Sequence, residues 1–188
     1  MSTHPAVREW TYAEFARLPD DGNRYEVIAG ELYVTPAPGS IHQIVHARFF
    51  TELRVFATNQ HGLGEVLSAP LDVLFEEGDY LQPDIMFVRA EHKAFQTKRG
   101  IEGPPDLVVE ILSPTSAFRD RSLKRERYAL YGVPEYWVID ADRGRVEVYR
   151  LQEDADRPEV VTRTLRWTPV QNGPVLELNV AELLTGLD

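Results

Sequence analysis

The chain has 188 residues, 43% hydrophobic and 27% charged, enough for one compact domain with a real core and too few for two. It contains no cysteine, which excludes a disulfide scaffold, a thiolate zinc site and a cysteine nucleophile; a reducing, cytoplasmic setting is the expectation. With 20 basic and 30 acidic side chains the net charge is −10. That excludes a protein that coats nucleic acid by bulk attraction, so a polyanionic ligand would have to meet a local basic patch or bound cations.

No apolar run approaches the roughly 20 residues of a membrane span, and the first ten residues lack a signal-peptide core, so neither export nor a membrane partner is expected. Residues 1–94 hold 7 basic and 14 acidic side chains and residues 95–188 hold 13 and 16, so the cations gather late. Only Lys93, Lys98 and Lys124 are lysines, which makes the position of each informative.

In chain order, Trp10 to Leu18 reads as a short amphipathic helix with Thr11 as N-cap and Pro19 beyond its end. Arg24–Ile28 and Glu31–Thr35 alternate at period two around Ala29-Gly30, a two-residue hairpin in which Gly30 supplies positive φ. Pro36 to Gly39 breaks the strand. From Ser40 as cap, Ile41, Val45, Phe49, Leu53 and Phe56 recur at helical spacing as far as Asn59, predicting the longest helix.

Strands are predicted at Gly64–Ser68 and Leu71–Phe75, with an acidic turn at Glu76-Glu77-Gly78-Asp79. Asp84–Val88 and Leu107–Leu112 are near-continuous apolar runs of the kind that form strands buried on both faces. The connection between them, Arg89 to Asp106, is long enough to suggest a functional or mobile segment. Ser116 to Tyr131 contains a highly charged helix ended by Gly132 and Pro134. Glu135–Asp140 is a further buried strand, Arg145–Leu151 alternates again, and Glu159–Thr164 and Val175–Leu184 read as added strands and a short closing helix.

Asp84 and Glu110 stand at the edges of the two most apolar strands. Burying a carboxylate without a partner costs several kcal/mol, so each needs a cation or hydrogen bonds. If the two strands are antiparallel neighbours, both carboxylates reach one edge of the sheet, where with a backbone carbonyl such as that of Ile111 they would make a hard-oxygen site suited to Mg²⁺. The competing reading is structural: Asp84, after Pro83, caps a turn and Glu110 pairs with an arginine.

At this point the chain resembles a known family. Pro83-Asp84 followed by Glu110, each at a strand, looks like the PD-(D/E)XK nuclease superfamily, whose core is a helix, three strands, a helix and a strand. More closely, the segments Arg24–Leu32, Gly103–Pro114 and Gly132–Asp140 are similar to the Uma2 family of restriction-endonuclease-like proteins, over most of the chain from Tyr12 onward. The resemblance implies an α/β (α+β) fold with a mixed sheet, as one domain over 1–188. Its nuclease-like core spans about 40–140, with an N-terminal helix and hairpin at 10–35 and C-terminal strands and helix at 145–185.

The superfamily pattern wants a lysine two places after the glutamate, where this chain has Leu112. In Uma2 relatives the lysine comes from the following helix, and the matching position is Lys124; the alternative is a solvated Asp120–Lys124 pair. The resemblance implies a metal-dependent endonuclease that hydrolyses phosphodiester bonds of DNA, with Asp84 and Glu110 holding Mg²⁺ or Mn²⁺ and Lys124 orienting water or steadying developing charge. Arg119, Arg121, Arg125 and Arg127 would bind substrate, with Lys93, Lys98 and Arg99 as possible additions; the alternative is a salt-bridged surface.

His42 and His46 are spaced like a zinc pair, but Gln43 stands where the zinc-protease motif needs its glutamate. His42 also matches a histidine of the family's first core helix, which gives it an auxiliary role; Glu26 either faces solvent or adds a third carboxylate. Ser113 lacks the companions of a nucleophile and reads as a turn residue. A glycosidase pair at Asp84 and Glu110 is the weaker enzymatic alternative. A degenerate member that binds nucleic acid or protein without cutting is the other, with Leu112 in its favour. A homodimer would let one site per chain cut two strands.

Overall fold

The computed structural model describes residues 10–76 and 78–187, so Glu77 of the predicted acidic turn lies outside the described residues. Helix α1 (Tyr12–Phe15) opens on a capping box: the Thr11 hydroxyl accepts from the Glu14 N–H and the Glu14 carboxylate accepts from the Thr11 N–H. The helix is shorter than predicted because Arg17 and Leu18 bond back to Glu14 and Phe15 in tighter i→i+3 turns. Strands β1 (Arg24–Ile28) and β2 (Glu31–Thr35) pair antiparallel. Both turn residues have positive φ, 52° at Ala29 and 83° at Gly30, as a type I′ hairpin requires.

Helix α2 (Ser40–Arg54) continues through a π-helical turn at Val55–Gln60 and buries Val45, Phe49, Leu53 and Phe56. Ser40 is not its cap. The prolines hold the backbone extended as far as Gly39, which takes the cap position without a side-chain hydrogen bond. Strand β3 (Gly64–Ser68) follows. Of the predicted strand at 71–75 only β4 (Val73–Leu74) forms, and it pairs with β5 (Tyr80–Leu81) in the sheet of the hairpin, of order β2-β1-β5-β4.

Strand β6 (Ile85–Arg89) is antiparallel to both β3 and β7 (Leu107–Ile111). The long connection between β6 and β7 is built on a 3₁₀ turn at Ala90–Phe95. Asp106 closes it, accepting from the Arg89 N–H at 2.8 Å and from Arg89 Nε at 2.6 Å. One continuous helical segment then comprises α3 (Ala117–Arg119), a π turn at Asp120–Lys124 and α4 (Arg125–Leu130). It leads into β8 (Glu135–Asp140), parallel to β7. Strands β9 (Arg145–Arg150) and β10 (Asp154–Val161) complete a six-stranded sheet of order β10-β9-β8-β7-β6-β3. A ribbon of β11 (Thr164–Trp167) and β12 (Leu176–Asn179) and helix α5 (Val180–Leu183) close the described chain.

The order α2, β3, β6, β7, α3–α4, β8 is the expected helix, three strands, helix, strand, with β4 and β5 inserted. Alternation along β7 sorts its side chains between two layers. Val109 and Ile111 pack with Val45, Phe49 and Leu53 of α2. Val108 packs with Tyr128 of α4 and Tyr136 of β8, and Glu110, two residues on, points into that same layer. A carboxylate thus enters a layer whose apolar part is made of aromatic and aliphatic groups.

Candidate active site

Asp84 immediately precedes β6, and the antiparallel register that sets Ile85 opposite Val109 brings it beside the end of β7. It is 1% exposed and fully engaged. Oδ2 accepts from the Ile111 N–H at 2.7 Å and lies 3.1 Å from His42 Nε2, while Oδ1 accepts from Arg24 Nη2 at 2.7 Å. His46, one helical turn beyond His42, reaches the Asp84 carbonyl oxygen at 3.1 Å. The two histidines therefore position Asp84 from α2 and do not form a zinc pair.

Lys124 comes from the π turn and is 1% exposed. Its Nζ lies 2.8 Å from Glu110 Oε1, 2.7 Å from Glu26 Oε1 and 3.8 Å from Asp120 Oδ1. Tyr128 donates to Glu110 Oε1 at 3.2 Å, and Glu26 Oε1 accepts the Gln82 N–H at 2.9 Å. Arg24 and Glu26 share one face of β1, so the N-terminal hairpin completes the site. π-Helical turns recur at functional sites because they break the regular ladder locally; here the turn carries both Asp120 and Lys124 into the protein.

Four buried carboxylates (Glu26, Asp84, Glu110 and Asp120) face two buried or half-buried cations, Arg24 and Lys124. Burial raises the Asp84 pKa, but the His42 bond, the Arg24 charge and the Ile111 N–H outweigh it and hold the carboxylate below its usual range. Glu110 is pushed well up, first by burial and then by the negative charges of Asp120, Asp84 and Glu26, against the opposing pull of Lys124. Burial also raises Asp120. Burial works to lower Lys124, but Glu110, Glu26 and Asp120 outweigh it and raise its pKa, so it stays an ammonium.

These groups line a cavity of about 210 Å³ whose wall also includes Ile111, Ser113, Ser116 and Arg119. Among the predicted residues, Glu26, His42, Asp84, Glu110, Ile111, Arg119 and Lys124 thus converge on one cavity. The other arginines of the helix do not. Arg121 donates to Glu147 at 2.9 Å and Asp140 at 2.7 Å, Arg125 pairs with Asp156 at 3.0 Å, and Arg127 clamps Asp79 through Nε at 3.0 Å. Buried acids on β8, β9 and the β4–β5 turn recruit Arg121 and Arg127, which makes that part of the helix a salt-bridged surface. Arg99 likewise pairs with Glu102 at 2.6 Å, and none of Lys93, Lys98 and Arg99 lines the cavity.

From the sequence, Arg24 and Tyr128 are not assigned to the site and Asp120 is named only as a solvated partner of Lys124. Arg24 had a detectable signal, since period two places it on the same strand face as Glu26. Asp120 shares the spacing that drew attention to Lys124.

Among the described residues no three His, Asp or Glu side chains form a ready-made metal cluster. The donor set nonetheless fits a hard divalent cation that keeps several waters. Negative charge exceeds positive in the buried site, and two buried polar atoms of the cavity wall, Asp120 Oδ1 and His42 Nδ1, have no hydrogen-bond partner.

The core order, with two strand-edge carboxylates facing a helix lysine, defines a restriction-endonuclease-like domain of the PD-(D/E)XK type. The family model Uma2, described as "Putative restriction endonuclease", matches residues 12–181, and the chain belongs to that family. The crystal structure of a "putative nuclease belonging to DUF820" from Anabaena variabilis ATCC 29413 has a similar fold. Its TM-score is 0.76 at 23% identity, with 95% of this chain and 99% of that chain covered. No curated protein matches the sequence. Among the described residues no helix is long and apolar enough to cross a membrane.

Proposed function

We propose that this protein is a metal-dependent nuclease that hydrolyses phosphodiester bonds of DNA in a cytoplasmic setting. The observation that carries the reading is the meeting of Asp84, Glu110 and Lys124 at one small cavity from three separate elements. Asp84 and Glu110, with the Ile111 carbonyl, would hold Mg²⁺ or Mn²⁺. Both contacts to Glu110 fall on Oε1, which leaves Oε2 for the cation. When bound, the cation supplies a lowered pKa for a water and neutralises charge on the phosphoryl oxygens.

The remaining work falls to the chain. Lys124 offers a cationic donor to the phosphoryl oxygen that gains charge as water adds to phosphorus and the bond to the leaving sugar oxygen breaks. His42 orients the Asp84 carboxylate through Nε2, 3.1 Å from Oδ2, and the proton that the water loses passes to solvent. An ionised Asp84 can only accept, so the Nε2 facing it carries the hydrogen. The sugar oxygen takes up a proton from solvent. Arg24 and the Ile111 N–H keep Asp84 ionised, and Arg119 borders the cavity as a substrate contact. Cutting both strands of a duplex with this one site would call for a homodimer.

A second reading is favoured by one observation. Asp84 and Glu110 already have protein partners and Leu112 takes the usual lysine position, as expected of a degenerate member that binds nucleic acid or protein without cutting. Thermal denaturation with Mg²⁺ and plasmid digestion separate the two. For a nuclease, the metal stabilises wild type but not Asp84→Ala, and supercoiled plasmid is cut by wild type but not by Lys124→Ala. Metal stabilisation with intact plasmid under both Mg²⁺ and Mn²⁺ selects the binder.

A further inference from the structure

The N-terminal hairpin lies outside the helix, three strands, helix and strand of the nuclease-like core and belongs to the second sheet, of order β2-β1-β5-β4. It nonetheless places two charged side chains in the cavity wall. Arg24 and Glu26 stand two residues apart on β1, so both point to the same side. Arg24 donates to Asp84 at 2.7 Å. Glu26, 1% exposed, brings Oε1 to 2.7 Å from Lys124 Nζ, and the same oxygen accepts the Gln82 N–H at 2.9 Å. Because Gln82 stands two residues before Asp84, the chain segment that supplies one proposed metal ligand also fixes the carboxylate that meets the lysine.

Glu26 could serve either the cation or Lys124. Among the described residues no three His, Asp or Glu side chains come together as a ready-made metal cluster, so Glu26 is not arranged as a third ligand beside Asp84 and Glu110. Its contact is to the ammonium. Among the described residues Lys124 has one other carboxylate within hydrogen-bonding distance, Glu110 at 2.8 Å; Asp120, at 3.8 Å, is too far to accept. Glu110 cannot be the sole anchor in a loaded site. A cation on its Oε2 draws on the same negative charge, and two positive groups then face each other across one buried carboxylate, where screening by water is weak. A lysine delivered by a helix on a flexible four-carbon stem would swing away. A second carboxylate that is not shared with the cation prevents this.

We infer that Glu26 is a positioning residue, which keeps the Lys124 ammonium at the cavity once a divalent cation has engaged Glu110. The inference rests on the nuclease reading and deepens it, since it makes the hairpin outside the core part of the working site.

The test is NMR of the full chain, isotope-labelled at the lysine side chains. Only three lysines are present, and Lys93 and Lys98 are exposed, so their ammonium protons exchange with water too fast to be seen. Those of Lys124 give a signal for as long as the group is held. In wild type that resonance is expected in EDTA and, shifted, in Mg²⁺; its loss on adding Mg²⁺ overturns the inference whether or not any variant folds. In Glu26→Gln, which keeps the side-chain shape and removes the charge, the resonance should survive in EDTA, where Glu110 holds the ammonium, and vanish in Mg²⁺. Retention in Mg²⁺, or loss already in EDTA, overturns the inference. In plasmid cutting the same variant should lose about 100-fold in kcat with KM unchanged, because substrate still binds while the ammonium is displaced; a raised KM with unchanged kcat would make Glu26 a substrate contact and overturn it. A wild-type resonance that Mg²⁺ leaves unmoved, with plasmid uncut, overturns the nuclease reading and the inference together, a result distinct from retention in Glu26→Gln, which overturns the inference alone.

Discussion

The ammonium of Lys124 lies 2.8 Å from the carboxylate of Glu110, both groups being buried, across a sequence separation of 14 residues. A buried ion pair tolerates the loss of one partner badly, because the survivor is left charged and unsolvated. Lys124→Ala should therefore cost about 3–5 kcal/mol of stability in EDTA. Because a divalent cation can replace the lost positive charge beside Glu110 and Glu26, Mg²⁺ should restore part of it. Chemical denaturation with and without metal checks both; a Lys124→Ala stability unchanged by Mg²⁺ would show that no cation takes the place of the ammonium.

The raised pKa values of Glu110 and Asp120 set the pH response of the metal-free protein. A group whose folded pKa is raised contributes stability that is fully present below its unfolded value, about 4 for carboxylates, and is lost as pH rises through the folded value. The melting temperature in EDTA should accordingly fall from mildly acidic pH toward neutrality, with a smaller slope in Glu110→Gln. The lowered Asp84 acts in the opposite direction, losing its contribution as pH falls below the ordinary carboxylate range. Since metal and protons compete for the site, apparent Mg²⁺ affinity should rise with pH, measurable by calorimetry.

The arginines of the charged helix should divide by partner. Arg127 holds the buried Asp79, whose Oδ1 also accepts the Ala29 N–H at 2.8 Å, so it ties the hairpin to α4. Arg127→Ala should lower stability by roughly 1.5–3 kcal/mol without a specific loss of nucleic-acid affinity. Arg119→Ala, which loses a 2.8 Å bond to Thr35, should do the reverse, weakening binding several-fold with little change in melting temperature. Titration of both variants against one labelled oligonucleotide decides it.

Ala29 occupies the left-handed region at φ 52°, where a Cβ is unfavourable by about 1–2 kcal/mol. Asparagine tolerates this conformation and is the preferred first residue of the type I′ turn. Ala29→Asn should raise stability by about 1 kcal/mol, a melting-temperature rise of roughly 2–4 °C for a domain of this size. Differential scanning calorimetry checks it; no rise would mean that the turn can relax away from this geometry without cost.

Local chemistry determined much that could be read from the sequence alone. The hairpin at Arg24–Thr35, the apolar runs of β6 and β7 and the core order follow from side-chain periodicity and turn residues, because those preferences act over a few neighbours. The shortening of the predicted strand at 71–75 to Val73–Leu74 and its place in the second sheet depend instead on a partner outside the run, Tyr80–Leu81. That Asp84 and Glu110 need partners was also evident, since a carboxylate in an apolar strand is costly wherever the strand lies. Which cations answer them was decided only by tertiary structure. Arg24 meets Asp84 across 60 residues and Lys124 bridges Glu26 and Glu110, while Asp140, Glu147 and Asp79 draw Arg121 and Arg127 away from the cavity. Ion pairing depends on distance and burial, and neither is encoded by spacing along the chain.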